Sequence, residues 1–171
     1  MKAKSFLRIL IILMILSMNI GCDQVSKCIV REKIEYNQRI ELINNHLTLT
    51  KIENTGAFLS LGQSLPKSVN LVLLIIFPLI VLGSALYYLF TKSNLSNMMI
   101  LAICFIIGGG AGNLFDRIFH GSVTDFLHID FIIFQTGIFN LADVSIMVGM
   151  FIMLYEAFIN RERLNYKSAD I

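Results

Sequence analysis

Carboxylates are concentrated in one part of the sequence. Four of the six aspartates, Asp116, Asp125, Asp130 and Asp143, lie between positions 116 and 143. An ionised aspartate at the centre of a bilayer costs about 2.5 to 3.5 kcal/mol on insertion scales, so Asp143, inside an apolar segment of membrane length, requires a reason. Neither Asp125 nor Asp143 has an obvious basic neighbour in sequence. These two carboxylates are therefore the strongest candidates for chemistry.

Two kinds of chemistry suit such carboxylates. In the first, two aspartates share one proton, because like charges about 3 Å apart cannot both ionise. One of them takes a proton from water while the other protonates a carbonyl oxygen, which hydrolyses a peptide without a metal or another cofactor. In the second, the carboxylates bind a metal ion together with His120 or His128. The sequence contains no His-Glu-x-x-His motif, so the first hypothesis is favoured.

Two further groups of polar residues have helical spacing. Asn140 and Asp143 are three apart and share one helix face, while Asn113, Asp116 and Arg117 are three and four apart and share another. Asp116 next to Arg117 is interpreted as a local ion pair that neutralises the end of its helix.

Other polar residues and the glycines are given structural interpretations that involve no chemistry. Asp130 and His128 are interpreted as solvated loop residues, and the Asn54–Gly56 segment, taken alone, as an ordinary turn. The glycines at 108–112 are interpreted as a site of close helix packing.

The composition is that of a membrane protein. The chain has 171 residues, of which 56% are hydrophobic and 15% charged, and its mean hydropathy is +0.71. The net charge of +2 comes without a basic block, so nucleic-acid binding has no support. The three cysteines suggest neither a disulfide framework nor a metal site.

Apolar segments predict a single membrane domain over 1–171, mainly α-helical. A hydrocarbon core of about 30 Å requires about 20 mostly apolar residues per helix. We expect four transmembrane helices, at about 6–30, 68–91, 97–117 and 138–160. Alternating residues from Leu47 to Thr50 predict a small extracytoplasmic β-sheet within 38–63, between the first two helices. The chain is expected to be a monomer among membrane lipids.

Basic residues predict the orientation in the membrane. Lys92 lies in a short turn, and Arg161, Arg163 and Lys167 follow the fourth helix, which is typical of cytoplasmic segments. With both termini in the cytoplasm, the unusual polar groups all fall at the extracytoplasmic ends of their helices. Convergence on one face predicts one site there.

The first apolar segment allows two interpretations. It ends in Ile-Gly-Cys at Cys22, like the signal of a lipoprotein that is cleaved and lipidated at the cysteine. However, Asn19 occupies a place where that signal has an aliphatic residue. We therefore expect a retained helix that carries Asp23 at its outer end; a lipid-anchored structural protein is the alternative.

Five ordered motifs resemble those of one known family. They are DQVSK from Asp23, NTGAF from Asn54, GGGAGNLFDR ending at Arg117, GSVTDF around Asp125, and FNLAD ending at Asp143. Together they resemble bacterial lipoprotein signal peptidase (signal peptidase II), a family of four-helix membrane aspartic proteases of the bacterial inner membrane. Ser26 and Thr124 depart from the usual residues of two motifs.

The resemblance implies an activity and a set of site residues. Asp125 and Asp143 would be the catalytic pair, activating a water that cleaves before a diacylglyceryl-modified cysteine in a prolipoprotein. Substrate-binding or supporting roles would fall to Asp23, Asn54, Gly56, Asn113, Arg117 and Asn140. The sheet after the first helix would form a cradle on the membrane. A small transporter or proton-relay protein is the competing hypothesis, against which the collection of acids at one face argues.

Overall fold

The computed structural model describes residues 2–43, 46–57, 66–131 and 133–169, with side chains from 6 to 161. Helices and strands follow one another in the order α1 (Lys2–Lys33), β1 (Arg39–Ile43), β2 (Leu47–Asn54), α2 (Lys67–Leu71), a π-helical segment (Val72–Ile76), α3 (Phe77–Thr91), α4 (Asn97–Phe119), β3 (Val123–Phe131), β4 (Phe134–Gln135) and α5 (Leu141–Ala169).

Within the described residues, four helical segments are long and apolar enough to cross a membrane. They are Phe6–Lys33, the continuous run of α2, the π-helical segment and α3 over Lys67–Thr91, Asn97–Phe119, and Leu141–Arg161. Large apolar side chains such as Phe77, Ile80 and Phe151 are exposed on these helices, as expected where the surrounding solvent is lipid. The prediction of four apolar helices is confirmed.

Helix α4 is the centre of the bundle. Its buried side chains face α1, α3 and α5, and a cluster of Ile12, Leu89, Ile103 and Ile107 fills the space between α1, α3 and α4. Glycines permit the closest contacts. A Cβ on Gly109 would collide with the Ala142 carbonyl oxygen of α5. The interpretation of these glycines as a packing device agrees with this geometry.

A four-stranded antiparallel sheet lies at one end of the bundle, in the order β1-β2-β3-β4. The sequence predicted a sheet within 38–63, between the first two helices. Only β1 and β2 lie there, since β3 and β4 come from the connection between α4 and α5; residues 58–65 lie outside the described part. Residues 123–126 at the start of β3 are all buried. The first four residues of the strand therefore lack the polar-apolar alternation by which strands are identified in a sequence, and only Leu127 to Phe131 alternate.

The sheet is attached to the bundle by an apolar cluster and by the backbone. Val30 and Ile34 at the end of α1 pack against Phe126 of β3. The backbone N–H groups of Phe126 and Leu127 donate to the Phe139 carbonyl oxygen, just before α5 begins. As a result β3 and the start of α5 are held side by side.

At the end of the bundle away from the sheet, hydrogen bonds connect the remaining helix ends. Arg8 of α1 donates hydrogen bonds to the carbonyl oxygens of Leu89 at 2.9 Å and Lys92 at 2.5 Å. Ser96, which caps α4, donates to the Glu156 carboxylate of α5. The start of α1, the turn between α3 and α4 and the far part of α5 therefore meet at the end away from the sheet.

Candidate active site

Asp125 lies on β3, in a nearly closed environment. Ile52 pairs with Asp125 and Asn54 with Val123, so Asn54 is the diagonal neighbour of Asp125 on the same face of the sheet. Asn54 Nδ2 donates to Asp125 Oδ2 at 2.9 Å, and Asn140 Nδ2 donates to Oδ1 at 2.6 Å. The side chain is only 4% exposed. Burial raises the pKa of Asp125 to about 6, and the nearby Asp143 acts in the same direction, while the two amide donors oppose it.

Asp143 lies in the first turn of α5 and is held there by a capping box. Asn140 Oδ1 accepts from the Asp143 backbone N–H at 3.0 Å, and Asp143 Oδ2 accepts from the Asn140 N–H at 3.2 Å. The three-residue spacing recognised in the sequence is thus the spacing of a reciprocal helix cap. The remaining oxygen, Oδ1, accepts from Asn113 Nδ2 of α4 at 2.8 Å.

Two amides connect the carboxylates. Asn140 Nδ2, which donates to Asp125, also lies 3.1 Å from Asn113 Oδ1, and Asn113 in turn donates to Asp143. Both amide side chains are buried. Amides orient a carboxylate without neutralising it, so each carboxylate remains available to hold or release a proton.

Arg117 and Gly56 form a further part of the site. Arg117 Nη2 donates to the Gly56 carbonyl oxygen at 2.9 Å, and the Gly56 N–H donates to Asn54 Oδ1 at 2.9 Å. The Arg117 guanidinium on α4 therefore holds the turn after β2 in place. That turn orients the Asn54 amide, which contacts Asp125.

A cavity of about 310 Å³ opens onto both carboxylates. Its polar side is formed by the site residues and its apolar side by the membrane helix that contains the π-helical segment. The lining residues are Asn54, Ala57, Leu73, Leu74, Phe77, Pro78, Asn113, Arg117, Val123, Asp125, Ile138 and Asp143.

Behind the cavity lies a group of four charged side chains, Asp23, Lys27, Arg31 and Asp116, here called the ion cluster. Lys27 Nζ lies 2.8 Å from Asp23 Oδ2 and 2.8 Å from Asp116 Oδ2, and Arg31 Nη2 lies 2.9 Å from Asp116 Oδ1. The interpretation of Asp116 as the partner of Arg117 is therefore wrong. Neighbouring residues of a helix point about 100° apart, and Asp116 turns toward α1 while Arg117 turns toward Gly56.

The structure separates the predicted site residues into two groups. The two aspartates line the cavity together with Asn54, Asn113 and Arg117, while Asn140 and Gly56 contact these lining residues from beside it. Asp23 lies in the ion cluster instead, where its Oδ1 accepts from the Ala142 N–H at 2.9 Å, one residue before Asp143.

Sequence reasoning gave Lys27 no role of its own, although it is the last residue of the DQVSK motif. Its ammonium group is fully buried and donates to Asn113 Oδ1 at 2.9 Å, in addition to its two ion pairs. The i, i+4 spacing of Asp23 and Lys27 on one helix is the signal that could have identified it.

Two interpretations of β3 residues as loop residues are also wrong. Asp130 and His128 lie on β3 and are partly buried, because the strand continues to Phe131. Over the described residues, no group of three or more His, Cys, Asp or Glu side chains is arranged to hold a metal ion.

Known proteins match this chain over the region that contains the five motifs. The family profile of signal peptidase (SPase) II matches residues 12–159. The chain is 34% identical over 154 residues to a lipoprotein signal peptidase of Streptococcus pneumoniae, covering 90% of this chain and 93% of the relative. It is 36% identical over 148 residues to a lipoprotein signal peptidase of Streptococcus agalactiae, covering 86% and 92%.

A solved structure of a bacterial membrane enzyme, determined by the in meso method, has the same fold. It superposes with a TM-score of 0.79 at 24% identity and covers 89% of this chain and 90% of that one. With the family profile and the relatives spanning most of the sequence, the chain belongs to the signal peptidase II family.

Proposed function

We propose that the protein is a membrane aspartic endopeptidase that removes signal peptides from diacylglyceryl-modified prolipoproteins, cleaving before the lipidated cysteine. The observation that carries the proposal is that Asp125 and Asp143 line one cavity and are held by amides rather than by cations. Family membership supports the class of substrate.

The two carboxylates would have different roles. The pKa of Asp125 is raised to about 6 by burial, which makes it the better carrier of a proton near neutral pH. Asp125 would protonate the oxygen of the scissile carbonyl, and Asp143 would take the proton from the attacking water. The tetrahedral intermediate would then collapse by breaking the C–N bond. Asp143 would give the proton taken from the water to the leaving amine, and Asp125 would take a proton back from a hydroxyl of the intermediate, which restores both carboxyl groups.

The other site residues would hold the reactants. Asn113 and Asn140 keep the carboxylates in position, and Asn54 orients Asp125 from the sheet. Arg117 lines the cavity and fastens the Gly56 turn, which suits a role in binding the peptide backbone. The apolar wall of Leu73, Leu74 and Phe77 would face the lipid-bearing part of the substrate.

The proposal includes an orientation in the bacterial inner membrane, with both termini cytoplasmic and the site at the extracytoplasmic face. The contact of Arg8 with the Lys92 carbonyl oxygen supports it, because it places two basic segments at the same end of the bundle, away from the sheet. Helix α1 also continues without interruption through Cys22, and Ile12 and Asn19 pack in the bundle. The continuity of the helix and these contacts within the bundle support a first helix that is not removed by cleavage at Cys22.

Cleavage of a synthetic prolipoprotein peptide carrying a diacylglyceryl cysteine tests the proposal. We expect Asp125→Asn and Asp143→Asn each to abolish cleavage, because neither amide can exchange the proton that hydrolysis requires. Asp130→Asn is the matched control: it changes an aspartate on the same strand, bonded to Gln135 and away from the cavity, and is expected to cleave like the parent chain. Full activity in either site variant would contradict the assignment.

A further inference from the structure

The Lys27 ammonium group has a defined set of three partners. It forms ion pairs with Asp23 and Asp116 and donates a hydrogen bond to Asn113, so three groups surround an ammonium that has three N–H donors. The side chain is 0% exposed and does not line the cavity. Lys27 therefore cannot contact a substrate in the cavity. Apart from the Coulombic effect of its charge on Asp125, it can influence the reaction only through a residue that it holds in place.

Asn113 is the residue that connects Lys27 with the site. Its Oδ1 accepts from Lys27 at 2.9 Å and from Asn140 at 3.1 Å, and its Nδ2 donates to Asp143 Oδ1 at 2.8 Å. An ammonium group has only donors, so the atom of Asn113 that faces it must be the oxygen. A reversed amide would place Nδ2 against the donors of Lys27 and Asn140, and Oδ1 against the Asp143 carboxylate.

The charge of Lys27 is already balanced within the ion cluster. Asp23 and Asp116 offset Lys27 and Arg31, so the four side chains sum to no net formal charge. The cluster can therefore hold the Asn113 amide without providing a counter-ion to Asp143. None of the ion pairs found over the described residues includes Asp125 or Asp143.

We infer that Lys27 is a positioning residue for the reaction, because it holds Asn113 in the one orientation that donates a hydrogen bond to Asp143. The inference rests on the proposed function, in which Asp143 activates the water. It assigns the polar residues of α1 a role in the rate of the reaction in addition to their role in folding.

The test compares two variants that differ only in Lys27. Asp116→Asn keeps the contact between Lys27 and Asn113 and is the background. Adding Lys27→Met removes the cation while leaving Asp23 and Arg31 with balanced charges. With the synthetic lipopeptide as substrate, we expect the double variant to lose about 10²-fold in kcat relative to the background, since small displacements of a catalytic group have effects of that size. KM should change by less than about twofold.

A second comparison separates positioning from a merely structural role. In an Asn113→Ala background, adding Lys27→Met should lower kcat by less than about threefold, because the residue through which it acts is gone. Losses that multiply across the two sites, or an unchanged kcat per folded molecule on loss of Lys27, would overturn the inference.

Two further results keep the test decisive. Parent-like kcat in Asn113→Ala would overturn the inference even if the Lys27 variants do not fold, since it would show that the contact with Asp143 has no effect on rate. Loss of cleavage in Asp125→Asn and Asp143→Asn, together with full kcat in the Lys27 variants, would refute this inference alone. Retained cleavage in those aspartate variants would instead refute the proposed function.

Discussion

Two pairs of aspartates lie close together in this protein, and they have opposite surroundings. Asp23 and Asp116 of the ion cluster contact the cations Lys27 and Arg31, and their charges are neutralised in a closed space. Asp125 and Asp143 accept hydrogen bonds from the side-chain amides of Asn54, Asn113 and Asn140, and both line a cavity.

The difference shows how one type of residue serves two purposes. A carboxylate paired with a buried cation is bound to a fixed partner on another part of the bundle, so it is suited to joining helices. A carboxylate held by neutral amides keeps its position and remains able to exchange a proton. The type of partner, more than burial, thus separates the structural pair from the pair proposed to be catalytic.

The largest expected effect is on the structural pair. Asp23→Ala leaves Lys27 without one partner and the Ala142 N–H without its acceptor. Breaking a buried ion pair typically costs about 3 to 5 kcal/mol, so we expect the free energy of unfolding to decrease by that amount. Thermal unfolding in detergent, followed by circular dichroism, measures it.

Asn140→Ala is the corresponding change at the other pair of aspartates, Asp125 and Asp143. It removes a helix cap and a donor to Asp125, which should cost about 1 kcal/mol of stability and mainly reduce turnover. Equal destabilisation by the two variants would remove the distinction between the pairs.

A change of pH should affect the stability through Asp125. Burial raises its pKa from 3.8 to about 6. Between these values the folded chain keeps a proton that the unfolded chain has lost, so the free energy of unfolding should decrease as the pH rises from about 4 to about 6. At about 1.4 kcal/mol per pKa unit the decrease is up to about 3 kcal/mol.

Measuring the unfolding temperature across this range tests the expectation. Asp125→Asn should flatten the pH dependence, while Asp130→Asn should leave it as in the parent chain. An identical slope in Asp125→Asn would show that another group is responsible.

A smaller effect than that of Asp23→Ala is expected for helix packing at the ion cluster. A Cβ on Gly112 would lie 2.5 Å from Asp23 Oδ2, so Gly112→Ala must displace that carboxylate. Overpacking of this kind usually costs about 1 to 3 kcal/mol. Gly21→Ala, on α1 with no atom within 4 Å of the added Cβ, is the control and should not lower the stability. Thermal unfolding of the two variants side by side would detect the difference, and equal stability would contradict the close contact.

The sequence was most informative about the helices and about which residues belong together. Apolar length was sufficient to predict four membrane-length helices, because the requirement for about 20 apolar residues is simple. The spacing of Asn140 and Asp143 also had a direct local meaning, since a helix cap needs residues three apart.

The sequence patterns did not predict which distant segments contact one another. Asp116 and Arg117 are adjacent, yet their partners lie on α1 and after β2, and nothing local distinguishes these directions. Strand β3 pairs with β2 across about half of the chain and is buried on both faces where it begins, so its sequence alternates only in its second half, from Leu127 to Phe131. Such features depend on contacts between distant segments, which local periodicity does not encode.

The hydrogen bond between the Asp23 carboxylate and the Ala142 N–H joins residues 119 positions apart. A ribosome has therefore synthesised most of the chain before this contact can form, and the Asp143 side chain becomes available only at the same stage. The ion pairs between α1 and α4 require nothing beyond Asp116. During biogenesis, the nascent chain can thus assemble its first three spans around the ion cluster, while the cavity proposed to be the active site is completed only when the fourth span inserts.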